Sequence, residues 1–359
     1  MDLLQWKVVR IIPEAQHTIS YVLEEISGQR VQYEAGQFLT FLVDYHGQEI
    51  RRSFSLGSTP GIDPQVFITV KKKENGAISR HILEHWSEGT IVNSLPPSGR
   101  FTLATDPANS RKVFFIAAGS GITPVFALLK KLLSDEPHSQ AILLYQNHDE
   151  NNIIYNGAIQ QLKERYTDRF TRIDLLSSPI LHDLPHQRLN NGLFELILSK
   201  YLQPETRNNK RETGNPTSYL LHPEFYTCGP PSFMRMVQFT LRVMGIAEDQ
   251  IRKENFTVDT VPPPAFSIDS APRTVRVKQG EHYHEFTVSY PNTILQAALN
   301  QHIKLPYSCR GGRCSACTVR CLSGTVKMNL NEVLTEKDIQ NGLVLTCVGY
   351  AVTDLLLEL

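Results

Sequence analysis

The sequence predicts a multidomain protein, with an antiparallel β-sheet or β-barrel domain first, an α/β domain with a parallel sheet second, and a smaller third domain. A chain of 359 residues is long enough for two or three hydrophobic cores. Near residue 108 the pattern changes from short alternating runs to buried strands followed by helices, and the Pro-rich stretch DTVPPPAFSIDSAP precedes the last domain. We therefore expect domains at 1–107, 108–258 and 273–359, with a linker at 259–272.

The first two domains differ in their hydrophobic pattern. Runs such as QFLTFLVDY and QVFITVKKK alternate apolar and polar residues and are separated by turn-forming stretches such as GSTPGIDP, which is typical of an antiparallel sheet or barrel. KVFFIAAGSGITPVFALLKKLL then combines a buried strand, a Gly-containing turn and an apolar helix, and it is followed by the strand AILLYQN and a helix at 158–165. The polar stretch 204–218 is expected to be a surface loop.

Composition excludes several classes of function. The 36 Lys and Arg balance 36 Asp and Glu, so no overall field favours nucleic acid or a membrane surface. No stretch approaches the roughly 18 apolar residues of a membrane span, and the N-terminus lacks an apolar signal region. Six cysteines crowded toward one end suit a metal or redox site better than a disulfide framework. We expect a cytoplasmic protein that binds neither nucleic acid nor membrane.

Four cysteines near the C-terminus have the spacing of a plant-type 2Fe-2S site. They are Cys309, Cys314, Cys317 and Cys347. Gly311 and Gly312 allow unusual backbone angles, so loop amides can turn toward the cluster sulfurs. Zinc would favour two separated pairs of cysteines.

Cys321 raises an alternative, since Cys314, Cys317 and Cys321 match part of a bacterial ferredoxin run. That run needs a Pro after its last cysteine, where this chain has Leu322. Cys321 also lies in the alternating segment CTVRCLSGTV, so we interpret it as a small buried hydrophobic residue.

LPYSCRGGRCSACTVRCLSG together with LTCVGY resembles a plant-type ferredoxin, and this resemblance implies an α+β domain of the β-grasp type at 273–359. Free ferredoxins of that family are typically acidic. Here Arg310 and Arg313 flank cluster ligands, which suggests a basic rim that docks an acidic surface of a partner.

The segment RRSFSLGS resembles the Arg-x-aromatic-Ser motif of the ferredoxin-NADP reductase family, although such a segment is also ordinary sheet sequence. The resemblance implies a flavin site in which Arg52 pairs with a phosphate, Ser53 lines the site, Phe54 lies against the isoalloxazine and Ser55 hydrogen-bonds near N5. Phe54 replaces the Tyr that is usual in the family.

A helix start in KENGAISRHILEHW follows at a spacing that suits the same family. Gly76 precedes the predicted helix, Ala77 begins it and Ser79 falls in its first turn. Backbone amides there can bind a pyrophosphate, which favours FAD over FMN, whereas the alternative is a plain turn.

Two further motifs resemble the nucleotide domain of that family. In AAGSGITPVFALL, the turn formed by Gly119, Gly121, Thr123 and Pro124 matches its Gly-x-Gly-x-x-Pro pattern, although an ordinary strand-to-helix turn would look similar. The resemblance places Thr123 near the nicotinamide.

In FYTCGPPSFM, the resemblance places Cys228 beside nicotinamide C4, followed by Gly229 and a helix from Pro231. Glu254 in RKENF aligns with an acidic residue near the flavin and nicotinamide, although an exposed position at the domain edge is equally compatible with the sequence. The candidate catalytic residues are therefore Ser55, Cys228 and Glu254.

The order of the three domains resembles reductase components of multicomponent oxygenases, most closely the phenylacetyl-CoA epoxidase reductase type. It implies an NAD(P)H-dependent oxidoreductase that passes electrons through FAD and a 2Fe-2S cluster to a protein acceptor. Alternatives are a reductase for a desaturase, demethylase or other acceptor, and a non-catalytic redox sensor. Acidic Asp149 and Glu150 after His148 favour NADH over NADPH, because they would repel a 2′-phosphate.

Overall fold

The computed structural model describes residues 3–181, 183–202, 223–256, 264 and 266–359. Part of the predicted linker at 259–272 and the whole predicted surface loop at 204–218 lie outside the described residues. Within them the chain forms three main sheets, each with its own hydrophobic core. No described helix is long and apolar enough to cross a membrane.

The first sheet has six strands in the order β4-β3-β6-β1-β2-β5, and every pairing is antiparallel. A bridge between Leu56 and Ile68 connects the chain after β4 to β5, so the sheet curls into a barrel around Trp6 and Phe41. This confirms the predicted barrel. Its elements are β1 (Leu4–Ala15), β2 (Thr18–Glu25), β3 (Phe38–Tyr45), β4 (Gln48–Ser55), β5 (Val66–Lys71), α1 (Ala77–His85) and β6 (Ile91–Ser94).

The second sheet is wholly parallel, with strand order β11-β10-β7-β8-β9. The chain winds from β7 toward β9 and then returns to the other side of β7, so a topological switch point lies between β7 and β10. Ligands of such sheets bind at the carboxyl ends of the strands at that point. Its elements are β7 (Lys112–Ala118), α2 (Ile122–Asp135), β8 (Gln140–Asn147), α3 (Asn156–Arg165), β9 (Phe170–Leu176), α4 (Asn191–Leu202), β10 (Glu224–Cys228), α5 (Pro231–Val243) and β11 (Ile251–Glu254).

The third sheet is mixed, with order β13-β12-β18-β14-β16, and only β12 and β18 pair in parallel. Helix α6 packs its buried residues on this sheet, which confirms the α+β class. The elements are β12 (Arg273–Gln279), β13 (His282–Val288), α6 (Ile294–Asn300), β14 (Thr318–Ser323), β15 (Val326–Met328), α7 (Glu336–Gln340), β16 (Leu343–Leu345), β17 (Gly349–Ala351) and β18 (Leu355–Glu358).

Candidate active site at the junction of three domains

The barrel, the parallel sheet and the cysteine-rich loop of the third domain border one cleft of about 2320 Å³. Most of the predicted site residues line it. They are Arg52, Ser53, Phe54, Ser55, Gly76, Ala77, Ser79, Gly119, Gly121, Thr123, Gly229, Glu254, Cys309 and Cys314. Pro124, Cys228, Cys317 and Cys347 are buried behind its walls.

Strand β4 contacts both other domains through one face. Successive side chains of a strand point to opposite sides, so Arg51, Ser53 and Ser55 share a face. The Ser55 hydroxyl donates to Glu254 Oε2 at 3.0 Å, and the Ser53 hydroxyl lies 2.5 Å from that of Ser308. The alternation of β4 therefore brings the nucleotide domain and the cysteine-rich domain to the same side of the barrel.

Glu254 and Cys228 are direct neighbours in the parallel sheet, because Cys228 of β10 pairs in register with Glu254 of β11. Burial raises the pKa of Glu254 to about 8, against the opposing effect of its hydrogen bond with Ser55. Burial also raises the pKa of the Cys228 thiol, and the nearby Glu254 carboxylate adds to that shift. Both groups are therefore predominantly neutral at pH 7.

The start of α1 has the arrangement that the sequence predicts. Gly76 is the N-cap residue and Ser79 lies in the first turn. The Ser79 hydroxyl donates to the Gly76 carbonyl and accepts from the Lys73 amide, both at 3.1 Å. A Cβ on Gly76 would lie 2.7 Å from the Ser79 hydroxyl, so glycine is required for space. The helix N-terminus thus opens into the cleft with room for a phosphate-bearing ligand.

The turn after β7 passes close to the end of β10. Gly119 adopts a positive φ of 54°. A Cβ on Gly121 would overlap the Cys228 carbonyl and lie 2.8 Å from the Gly229 amide nitrogen. The glycines therefore let the two loops at the switch point approach each other, and Thr123 is buried at the same place.

Asn147, at the carboxyl end of β8, is a site residue that sequence reasoning missed. It lines the cleft and is 5% exposed, yet neither polar atom of its side chain has a hydrogen-bond partner in the described part of the chain. A buried amide without partners is costly, so this position fits a polar ligand such as a nucleotide. Asn147 lies at the end of a strand, one residue before the segment predicted to distinguish NADH from NADPH. That position is the sequence signal that could have identified it.

The two carboxylates that favoured NADH do not face the cleft as expected. Glu150 accepts the backbone amides of Ile180 and Leu181 at 2.8 and 3.0 Å, and Asp149 accepts from the Asn152 side chain at 2.8 Å. Neither carboxylate lines the cleft, which is bordered there by His148, Ser177 and Arg188. Local hydrogen bonds hold both carboxylates away from the cleft, and the preference for NADH stays a prediction.

The structure brings the four predicted ligand cysteines together, and the Cys309 thiol interacts with those of both Cys314 and Cys347. Cys317 Sγ lies 3.2 Å from Cys347 Sγ, and the backbone amide of Cys309 lies 3.4 Å from Cys314 Sγ. The amide of Gly311 donates to Cys309 Sγ at 3.3 Å, as expected for an amide directed at a cluster sulfur.

Left-handed backbone angles in this loop occur at Gly312, Arg310 and Ser315, rather than at both glycines. No three His, Cys, Asp or Glu side chains among the described residues are placed to hold a single metal ion. Four thiols gathered in one place fit a binuclear cluster, which takes four cysteine thiolates.

Cys321 lies apart from this arrangement. It is half-buried on β14 against the core of the third domain, and its thiol donates to the Ser323 carbonyl at 3.3 Å. The interpretation as a packing residue agrees with this position.

The predicted basic rim borders the cleft, with Arg310 exposed and Arg313 half-buried. Arg310 lies 4.5 Å from the ring centroid of Tyr307, Arg313 pairs with Glu332 at 3.2 Å, and both arginines line the cleft. Because Arg310 is exposed, the docking of an acidic partner surface on this rim stays a prediction.

Three family models match the chain in the order of its sheets. They are an oxidoreductase FAD-binding domain at residues 8–103, an oxidoreductase NAD-binding domain at 115–238 and a 2Fe-2S iron-sulfur cluster binding domain at 277–352.

Two relatives are similar over nearly their whole lengths. The ferredoxin reductase component of 3-ketosteroid-9-alpha-monooxygenase from Mycolicibacterium smegmatis is 31% identical, over 98% of this chain and 95% of the relative. A 1,2-phenylacetyl-CoA epoxidase subunit from Escherichia coli is 28% identical, over 94% of this chain and 91% of the relative.

Among solved structures, phthalate dioxygenase reductase has the same fold, with a TM-score of 0.58, 21% identity and coverage of 99% of this chain and 98% of that one. A type IV self-sufficient cytochrome P450 monooxygenase matches with a TM-score of 0.69 and 20% identity, over 99% of this chain and 41% of the longer one. The chain belongs to the family of ferredoxin reductase components, NAD(P)H-dependent oxidoreductases that combine a FAD-binding, an NAD-binding and a C-terminal 2Fe-2S domain.

Proposed function

We propose that the cleft is the electron-transfer centre, with the hydride site at Ser55, Glu254 and Cys228 and with the cluster beside it. The observation that carries this proposal is the meeting of three domains at one place. The Ser55 to Glu254 hydrogen bond joins the barrel to the nucleotide domain, and Cys309 and Cys314 line the same cleft. A sensor would not need these nicotinamide-site residues.

Bound FAD supplies acceptance of a hydride from NAD(P)H and release of electrons one at a time. The chain's own groups hold and orient these ligands. Arg52 and the amides of Ala77 and Ser79 bind phosphate, and Gly76 leaves room beside them, since its own amide donates to the Lys73 carbonyl at 3.0 Å. Phe54 supplies an apolar surface, with Ser53 beside it. The Ser55 hydroxyl donates a hydrogen bond to Glu254, and the neutral Glu254 carboxyl holds a proton beside Ser55.

For the nucleotide, we propose that Gly119, Gly121 and Gly229 leave room for its phosphates, while Thr123, Pro124 and Cys228 shape the nicotinamide pocket. The close approach of the two loops at the switch point supports this assignment.

We propose that Cys309, Cys314, Cys317 and Cys347 would hold the cluster as thiolates. Two observations support this assignment: the Cys317 and Cys347 thiols are in contact, and the amides of Cys309 and Gly311 donate to the sulfurs of Cys314 and Cys309.

We propose that the electron acceptor is a protein, the oxygenase component of a multicomponent system such as a phenylacetyl-CoA epoxidase. The 3-ketosteroid monooxygenase and phenylacetyl-CoA epoxidase relatives support this class. A demethylase is the second candidate, because the stachydrine N-demethylase reductase subunit Stc4 of Rhizobium meliloti is 26% identical over 93% of this chain. We also propose a cytoplasmic location, which suits reduced thiols. The proposed domain limits are 1–107, 108–258 and 273–359.

An anaerobic spectral titration tests the whole path. We expect NADH or NADPH to bleach the flavin absorbance and then the broad iron-sulfur bands. Flavin that bleaches while the iron-sulfur bands persist would contradict transfer to the cluster. Slow reduction by both nucleotides would favour the sensor.

The pH dependence of flavin reduction should report Glu254. Its carboxyl keeps a proton below about pH 8 and becomes an anion above it, beside the place where hydride adds. We expect flavin reduction, followed by stopped-flow absorbance, to slow about tenfold from pH 7 to pH 9 as the protonated fraction falls. Glu254→Gln, which stays neutral, should remove this dependence. Glu248→Gln, an exposed cleft carboxylate, should keep it, and an unchanged profile in Glu254→Gln would contradict the assignment.

Arg188 should discriminate between the two nucleotides. Its exposed guanidinium borders the cleft next to Ser177 and His148, where a 2′-phosphate would be held. We expect Arg188→Gln to raise KM for NADPH roughly fivefold, because the lost ion pair is partly screened by solvent. KM for NADH should change less than twofold. Equal changes for both nucleotides would show that Arg188 does not contact the 2′ position.

A further inference from the structure

Tyr307 contacts two guanidinium groups from different domains. Arg51 of β4 lies 4.0 Å from its ring centroid and Arg310 lies 4.5 Å from it. Two cations near each other repel, but the negative face of an aromatic ring attracts both. Glu49 pairs with Arg51 at 3.1 Å and offsets part of the remaining charge. The ring therefore links the barrel to the cysteine loop.

Because of its position in the chain, Tyr307 connects the arginine contacts to the cysteine ligands. It lies two residues before Cys309, and the next residue, Ser308, meets Ser53 at 2.5 Å. Arg51 and Ser53 are on the same face of β4, so the two contacts are adjacent and run along the strand. Both interdomain contacts, at Tyr307 and at Ser308, belong to the segment that leads directly into Cys309.

Two other interdomain contacts lie farther along the chain. Arg100 of the barrel pairs with Asp338 of α7, and Asn255 donates to Glu332 at 2.8 Å. These attach the body of the third domain. Glu332 also pairs with Arg313 at 3.2 Å, so it links the cysteine loop to the nucleotide domain, whereas Tyr307 and Ser308 link the loop to β4.

We propose that Tyr307 is a positioning residue for electron transfer, which clamps the cysteine loop against β4 through Arg51 and Arg310. The inference rests on the proposed function of the cleft. The step that it supports moves one electron from a reduced flavin to an oxidised cluster, and no bond to Tyr307 forms or breaks. Loss of the aromatic ring removes the surface that attracts both the Arg51 and the Arg310 guanidinium and lets the loop move away from β4.

The test compares Tyr307→Leu with Tyr307→Phe in the holoprotein. Cation-π contacts of this kind shift an equilibrium by roughly 2- to 30-fold. We expect Tyr307→Leu to increase amide hydrogen exchange in 48–55 and 305–316 by a factor in that range. It should also slow cluster bleaching relative to flavin bleaching by about tenfold. Tyr307→Phe keeps the ring face and should restore both values to within twofold of wild type.

Tyr283→Leu is the matched control, because it also removes a ring that contacts an arginine. Tyr283 lies on β13, outside the cleft lining, and its ring centroid is 5.3 Å from the Arg276 guanidinium. It should change neither measurement. Arg51→Gln should reproduce Tyr307→Leu, and the double variant should be no worse than either single one. If Tyr307→Leu keeps wild-type exchange and a wild-type ratio of rates, the inference is wrong. If wild type itself does not pass electrons to the cluster, the proposed function fails instead.

Iron content and visible absorbance separate positioning from a lost cluster. Tyr307→Leu with full iron but a slow second phase supports the clamp. Should the variant lose iron, Arg51→Gln, which is in another domain, decides the question, and normal transfer in that variant would overturn the proposal.

Discussion

Replacing Cys347 by alanine is expected to abolish the iron-sulfur absorbance while flavin is still reduced by NAD(P)H. Cys347 is buried 3.2 Å from Cys317, and no other thiol in the described residues is placed to substitute for it. Loss of an outer-shell partner commonly costs roughly 10- to 100-fold in metal affinity, so loss of a direct ligand should cost more. Transfer to a protein acceptor should fall on the order of 100-fold or more, measured by iron content and stopped-flow absorbance.

Cys321→Ala is the matched control, because Cys321 belongs to the same domain but lies on β14 with its thiol on the Ser323 carbonyl. This variant should keep full iron content and normal transfer. Retention of iron by Cys347→Ala, or its loss from Cys321→Ala, would overturn the proposed ligand set.

Replacing Gly121 by alanine should disable the nucleotide site. The added methyl group would overlap the Cys228 carbonyl and lie 2.8 Å from the Gly229 nitrogen, and both of these are backbone atoms that move only with the end of β10. Overpacking of this kind costs about 1–3 kcal/mol. We therefore expect lower thermal stability and at least a tenfold lower kcat/KM for NAD(P)H-dependent flavin reduction. Bound flavin should be retained, because the barrel is unchanged.

Gly157→Ala provides the comparison. Gly157 is exposed near the start of α3, and a Cβ there would meet nothing within 4 Å. The change should be neutral or stabilise by about 0.5–1 kcal/mol, since it lowers the entropy of the unfolded chain. Equal kcat/KM for both variants would show that the close approach at Gly121 does not shape the nucleotide site.

The sequence alone determined the features that depend on neighbouring residues. Alternation in QFLTFLVDY predicted the barrel strands, and the buried run before Gly119 predicted β7 and the turn into α2. The cysteine intervals predicted the 2Fe-2S domain, which the family match confirms. Such features are local because strand alternation, glycine turns and ligand loops are decided within a few residues.

Only the tertiary structure decided which groups meet across domains. Ser55 and Glu254 are 199 positions apart, and their hydrogen bond depends on how the barrel lies against β11. Glu150 was expected to face the 2′ position of a nucleotide, but its carboxylate accepts the amides of Ile180 and Leu181. The exposed Arg310 guanidinium lies over the ring of Tyr307, a contact that the sequence pattern did not indicate. Side-chain direction and the approach of separate domains follow from packing between distant segments, which a local pattern does not encode.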